Sequence, residues 1–195
     1  VYMDAVFYPN IYEKEEIFRQ EGWNYHLEQK EGPLKYNGVV YNEMKGAFSS
    51  PDEVLEREIM NHLFPDTTYG CESGGDPKNI PDLTYENFLN FHRTYYHPSN
   101  SYIYLYGNMD MEEKLAFLDE HYLSHFDYLD VDSVIQEQKA FGACQDVTLE
   151  YPVAENEGEE DNTYLSYNMV VGNAADSQMA MAFEVLDYAL LSAPG

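Results

Sequence analysis

The segment over residues 38–48 restricts the fold most, because it combines a helical period with a carboxylate among apolar residues. Successive residues of a helix lie about 100° apart. On that wheel Glu43 falls on one arc with Val39, Val40, Met44, Ala47 and Phe48. An ionised carboxylate on a buried stripe needs an arginine, amide donors or a metal ion to compensate it. The wheel predicts that Glu43 lies in an apolar face, and leaves a structural ion pair or a position at the rim as alternatives.

Helix-start signals recur along the rest of the chain. Ser50 as N-cap, Pro51 at the first position and Glu53 three residues after the cap predict a helix that ends at Leu63. Similar caps and helical spacing predict further helices up to Tyr8, over 11–20, from Thr84 to before Pro98, from Asp110 to about Leu123, and from Asp176 to about Leu191.

Strands are predicted between these helices. Short apolar or aromatic runs indicate strands over 23–28, 34–36, 102–106, 147–151 and 163–171. Residues 67–83 form a loop rich in residues that occupy special backbone angles. The acidic run over 155–161 lacks the alternating ligand spacing of a calcium loop, so we interpret it as a solvated hairpin loop.

Composition narrows the possible partners. The chain carries 10 Lys and Arg against 36 Asp and Glu, a net charge of −26, which repels a phosphate backbone. We therefore expect no nucleic-acid partner. The acidic surface favours solubility, and the alternative is attraction of basic peptides.

Cysteine usage and hydropathy bear on location. Cys71 and Cys144 form no CxxC pair, so neither a disulfide framework nor a thiolate metal site is indicated, and a reducing compartment is expected. No apolar run is long enough to cross a bilayer, so we expect no membrane partner. We predict a cytoplasmic, bacterial location.

His121 and His125 lie four residues apart, and we interpret them as residues at the end of a helix and not as a pair of metal ligands.

Several motifs resemble one enzyme family in composition and order. They are GVVYNEMKGAF (38–48), SGGDP (73–77), IPDLT (80–84), YHPSN (96–100) and YGN (106–108), with YMDAVFYP (2–9) and QEGW (20–23) upstream. Over roughly residues 1–125 the chain resembles the zinc metallopeptidases of the pitrilysin and insulysin type, on their presequence-protease branch. The remainder fits the following part of the same domain more loosely.

The resemblance implies a role for one residue. In such enzymes an H-x-x-E-H motif supplies two zinc-binding histidines and the general base, and a distant glutamate completes the three protein ligands. That glutamate corresponds to Glu43. No H-x-x-E-H occurs in the chain, so we assign no catalytic residue and expect this piece alone to be inactive and to lack zinc. Some relatives have an acidic residue seven positions before the ligand, where this chain has Tyr36.

The implied fold is α+β, an α/β sandwich with helices packed on a mostly antiparallel sheet. We expect residues 1–126 to form the C-terminal part of the first half of the catalytic domain, 127–146 a linker, and 147–195 the start of the second half. Both ends resemble cut points, so we interpret the chain as a fragment of a peptidase that hydrolyses short unstructured peptides, with basic peptides favoured by the negative charge. The remaining domains of the polypeptide would be its partners. The alternative is a non-catalytic homologue that serves as a scaffold or peptide-binding module.

Overall fold

The computed structural model describes residues 1–153, 158 and 160–192, so the acidic loop predicted over 155–161 lies partly outside the described residues. Within them the α-helices are α1 (Tyr2–Phe7), α2 (Glu15–Glu21), α3 (Val39–Ala47), α4 (Pro51–Leu63), α5 (Tyr85–Tyr95), α6 (Met111–His121) and α7 (Ser177–Asp187). The strands are β1 (Asn24–His26) and β2 (Lys35–Asn37). Short 3-10 turns lie at Asn10–Tyr12, Thr68–Gly70, Ile80–Asp82, Pro98–Asn100 and Leu123–His125, and a π-helical turn follows α7 at Tyr188–Ser192.

The observed helix starts agree well with those predicted from the sequence, because an N-cap depends on only a few neighbouring residues. The side chain of Thr84 accepts a hydrogen bond from the backbone N–H of Asn87, and the Asn87 side chain accepts one from the N–H of Thr84, which forms a capping box on α5. Asp110 caps α6 and Asp176 caps α7 in the same way. Ser50 precedes α4 as predicted, yet its side chain makes no cap hydrogen bond.

The helix predicted over 11–20 is interrupted. A 3-10 turn at Asn10–Tyr12 comes first, Lys14 is extended, and α2 begins at Glu15. Tertiary contacts hold the turn apart from α2: Ile11 is buried, and the Tyr12 hydroxyl lies 2.7 Å from Nδ1 of His92 on α5. Packing thus overrides the local helical period.

The sheet is smaller than predicted. β1 and β2 form an antiparallel hairpin in which Tyr25 lies opposite Tyr36. The strands predicted over 102–106, 147–151 and 163–171 were wrong, since no regular strand is formed there. A strand needs a hydrogen-bonded neighbour, and none of the described segments pairs with these runs. The described residues therefore combine helices with a small antiparallel hairpin, and they do not build the larger sheet of the expected sandwich.

The core lies in the first two thirds of the chain. Phe18, Trp23 and Ile80 form a buried cluster, and partly buried side chains pack around it, namely Val40, Tyr41, Met44 and Tyr85. The indole Nε1 of Trp23 donates a 2.8 Å hydrogen bond to the carbonyl of Leu83. Three residues of α3, the helix that carries Glu43, thus pack against this cluster, namely Val40, Tyr41 and Met44. None of the described helices has both the length and the apolar character required to span a bilayer.

Candidate functional site

Glu43 lies in the middle of α3 and is exposed, which corrects the prediction that it lies within a buried face. The face of α3 that packs is formed by half-buried residues, namely Val40, Tyr41, Met44, Ala47 and Phe48. Tyr41 joins this face because it packs against the core, and Val39 at the opposite edge is 42% exposed. The packed arc is therefore centred near Met44, and Glu43 lies at its rim, which is one of the alternatives that the helical wheel left open.

The carboxylate of Glu43 is free of protein partners in the described part of the chain. None of the hydrogen bonds or ion pairs among those residues involves it. A neighbour on the same side of the helix, Gly46, faces open space, since a Cβ there would meet no atom within 4 Å. The α3 surface around Glu43 is small and uncovered, and it presents one carboxylate whose oxygens are free to bind a metal ion.

The start of α3 is fixed by close backbone packing. Gly38 precedes the helix with a φ of 149°, and a Cβ at this position would collide with the carbonyl of Gly22 and with Trp23. The N–H of Tyr41 also donates to the Gly22 carbonyl at 3.3 Å. Only glycine combines this φ with so close an approach, so Gly38 anchors α3 to the segment that follows α2.

The middle of α3 packs against residues 72–77, which we call the glycine loop. A Cβ on Gly74 would overlap the sulfur of Met44, so the loop backbone lies directly on the residue next to Glu43. Gly75 has a φ of 90°. The carbonyl of Asp76 accepts hydrogen bonds from the N–H groups of Asn79 at 2.8 Å and Ile80 at 2.9 Å, which ties the loop to the core.

The end of α3 contacts a mostly buried cation, Arg57, that no sequence pattern indicated. The Arg57 side chain, on α4, is 14% exposed, and its guanidinium lies 4.3 Å from the ring centre of Phe48. It donates a 2.5 Å hydrogen bond to Glu58 and lies 3.7 Å from Oδ2 of Asp76. Its burial could not be inferred from helical spacing, because it depends on where the glycine loop packs.

A cavity of about 530 Å³ lies beside the start of α3. The residues that line it are Glu16, Arg19, Gln20, Asn24, Asn37, Gly38, Val39 and Asn42, most of which have polar side chains. The Asn42 amide donates a 2.9 Å hydrogen bond to the Asn37 side chain, which joins α3 to β2 across this cavity.

Tyr36 occupies the position seven residues before Glu43, and it belongs to the hairpin. Its ring centre lies 5.5 Å from that of Tyr25 on the opposite strand and 5.8 Å from that of Tyr41. The adjacent Tyr25 hydroxyl raises the pKa of Tyr36 above the usual value for a phenol. Tyr36 is thus a neutral phenol at neutral pH and supplies no second carboxylate near Glu43.

The described residues could supply only part of a zinc ligand set. Zinc takes histidine, cysteine or carboxylate ligands, and three protein donors are usual at catalytic sites. Within the described ranges no group of three such side chains lies close enough to hold a metal ion. The His121 ring lies 4.4 Å from that of Phe117 at the end of α6, in keeping with its interpretation as a helix-end residue. Glu43 alone could therefore contribute one ligand.

Comparison with known proteins identifies the family of the chain. A family profile described as "Peptidase M16 inactive domain" matches residues 82–194. "Protein HypA" of Clostridium perfringens is 56% identical over 97% of the chain, "Presequence protease 1, chloroplastic/mitochondrial" of Arabidopsis thaliana 41% over 100%, and "Presequence protease, mitochondrial" of Xenopus laevis 37% over 100%. The chain spans about a fifth of each relative, namely 20%, 18% and 19% of their lengths. The chain belongs to the M16 peptidase family, in its presequence-protease-like group.

Proposed function

We propose that the chain is part of a larger zinc metallopeptidase that hydrolyses short unstructured peptides, and that Glu43 is its third protein ligand to zinc. The observation that carries the proposal is an exposed carboxylate without a protein partner on a helix fixed at its start, middle and end. Rigid support suits a metal ligand, because ligand geometry must be held closely. Likeness to presequence proteases over the whole chain supports the peptidase part of the proposal.

The other parts of the site would come from outside this chain. The sequence contains no H-x-x-E-H, so the two histidine ligands and the general base would belong to another segment of the longer protein. When bound, zinc would supply a Lewis acid for the peptide carbonyl and an activated water. Glu43 would contribute one carboxylate ligand to the ion. On this proposal the chain alone is inactive.

The exposed surface supports packing against further domains. The accessible surface is 16097 Å². A compact protein of 22.6 kDa is expected to expose about 9,500 Å². Large side chains contribute to the excess, with Tyr102 at 104% and Leu165 at 97% exposure. Burial of this apolar surface would stabilise an assembly of this chain with the remaining domains of the same polypeptide.

The charge of −26 favours basic peptides as substrates, because a surface of one sign concentrates ligands of the other. Cys71 and Cys144 are both free, which suits the reducing cytoplasm. Hydrolysis of matched basic and acidic peptides at low and high salt tests the substrate proposal. A preference for the basic peptide that salt abolishes would support it, and equal rates at low salt would contradict it.

The zinc content of the full-length protein tests the role of Glu43. We expect the wild type to bind about one zinc ion per chain and Glu43→Gln to lose affinity, since a neutral amide is a much weaker zinc ligand. Glu120→Gln is the matched control, because Glu120 is also exposed on a helix, α6. Equal tight binding by Glu43→Gln and wild type would remove Glu43 from the site.

One observation favours the second candidate, a non-catalytic scaffold or peptide-binding module. The matching profile describes an inactive domain, and its residues 82–194 do not include Glu43. The coding sequence upstream separates the two candidates. An H-x-x-E-H motif there supports the peptidase, and its absence supports the scaffold.

A further inference from the structure

Arg57 joins three separate segments around the second half of α3. It extends from α4, its guanidinium stacks on Phe48 at the end of α3, and it faces Asp76 in the glycine loop. Mostly buried cations are costly unless they are paired. Here two carboxylates, Glu58 and Asp76, supply the pairing, and the aromatic ring supplies a cation–π contact.

The contacts of Arg57 continue to the neighbour of Glu43. Asp76, held beside the guanidinium, also anchors the glycine loop through its carbonyl to the N–H of Ile80, a residue of the buried core. In the same loop, Gly74 packs on Met44, the residue after Glu43. Arg57 therefore acts on α3 at two places, directly at Phe48 and through the loop at Met44.

We propose that Arg57 is a positioning residue that sets the orientation of Glu43 toward zinc, by holding the end of α3 and the glycine loop in one arrangement. The inference rests on the proposed function of Glu43 and adds a residue that touches neither substrate nor metal. A planar guanidinium suits this task, because it stacks on a ring while its edge faces carboxylates. Lysine offers the charge without the plane, so substitution by lysine should retain part of the effect.

The test compares variants of the full-length protein well below their unfolding temperatures. Arg57→Met removes the charge, Arg57→Lys keeps it, and Arg93→Met is the matched control. Arg93 also pairs with a glutamate, Glu86, and lies over a ring, that of Tyr12, but on α5. Zinc affinity is measured by competition with a chelator, and kcat and KM are measured on one unstructured peptide.

We expect Arg57→Met to weaken zinc binding by about 10–100-fold, the usual effect of losing a residue that orients a metal ligand. The value of kcat should fall while KM stays within about twofold, with Arg57→Lys intermediate and Arg93→Met unchanged. If Arg57→Met does not fold, Asp76→Asn tests the same contact from the loop side and should also weaken zinc binding.

Two failures are distinguishable. If the wild type binds zinc through Glu43 while Arg57→Lys and Asp76→Asn match it in zinc affinity and kcat, the positioning role is overturned and the peptidase assignment stands. If Glu43→Gln binds zinc as tightly as the wild type, the proposed site itself is overturned.

Discussion

The hydroxyl of Tyr122 donates a 2.9 Å hydrogen bond to Oδ1 of Asp4, and so joins residues that lie 118 positions apart in the chain. Tyr122 is buried at the end of α6, and Asp4 belongs to α1. This bond is the main reason that the pKa of Asp4 lies below its usual value, and it raises the pKa of Tyr122. The first and sixth helices are thereby held together.

The Asp4–Tyr122 bond predicts a pH-dependent loss of stability in Tyr122→Phe. A lowered folded-state pKa means that the bond stabilises the fold above the unfolded pKa of about 3.9, and that this contribution is lost as pH falls through the lower folded pKa. Urea unfolding followed by circular dichroism should show a less stable variant at pH 7 and a smaller difference from wild type at pH 3. Tyr104→Phe, at an exposed position, should match wild type at both pH values. A difference independent of pH would contradict the role of Asp4.

Substitution by alanine should have opposite effects on stability at Gly38 and at Gly46. Gly38→Ala places a Cβ at positive φ against the Gly22 carbonyl and should destabilise the fold by about 1–3 kcal/mol. Gly46→Ala adds a Cβ in open space within α3 and should stabilise the helix by up to about 1 kcal/mol. The urea midpoints of both variants of the 195-residue chain check this. Equal midpoints would mean that Gly38 is not under steric constraint.

Trp23→Phe should destabilise the protein by about 1–3 kcal/mol, because the Leu83 carbonyl loses the indole donor in a partly buried place. Circular dichroism measures the effect in the variant, since Trp23 is the single tryptophan of the chain. Unchanged stability would show that water replaces the indole without cost.

Alanine substitutions at two predicted N-caps, Thr84 and Ser50, should differ in how much they lower the stability of the protein. Thr84→Ala removes the hydroxyl that accepts from the N–H of Asn87 in the α5 capping box and should cost about 1 kcal/mol. Ser50→Ala removes a hydroxyl that makes no cap hydrogen bond to α4, so it should cost only a few tenths of that. A comparison of the two urea midpoints tests the difference. Similar costs would indicate that Ser50 caps α4 in solution.

Features decided by neighbours in sequence were predictable. The caps at Thr84, Asp110 and Asp176 depend on a side chain and the N–H three residues later, and the structure forms all three. The short strands over 23–28 and 34–36 were also predicted, and the structure forms β1 and β2 at these two runs. The motifs of the family pointed to the correct group because they do not depend on packing.

Features decided by distant partners were not predictable. The runs over 102–106, 147–151 and 163–171 have strand-like composition, but a strand also requires a neighbour that sequence patterns do not identify. The orientation of Glu43 depended on Tyr41, which packs on the core and turns the buried face of α3 away from the carboxylate. The burial of Arg57 depended on the glycine loop.

The run over 102–106 has a further consequence for handling the chain. Tyr102, Tyr104 and Tyr106 alternate with Ile103 and Leu105, and all three tyrosines are at least 85% exposed. An unpaired segment with strand-like composition is a template for strand addition from other molecules. The net charge of −26 keeps copies apart at low ionic strength, so added salt should promote self-association of the isolated chain by screening that repulsion.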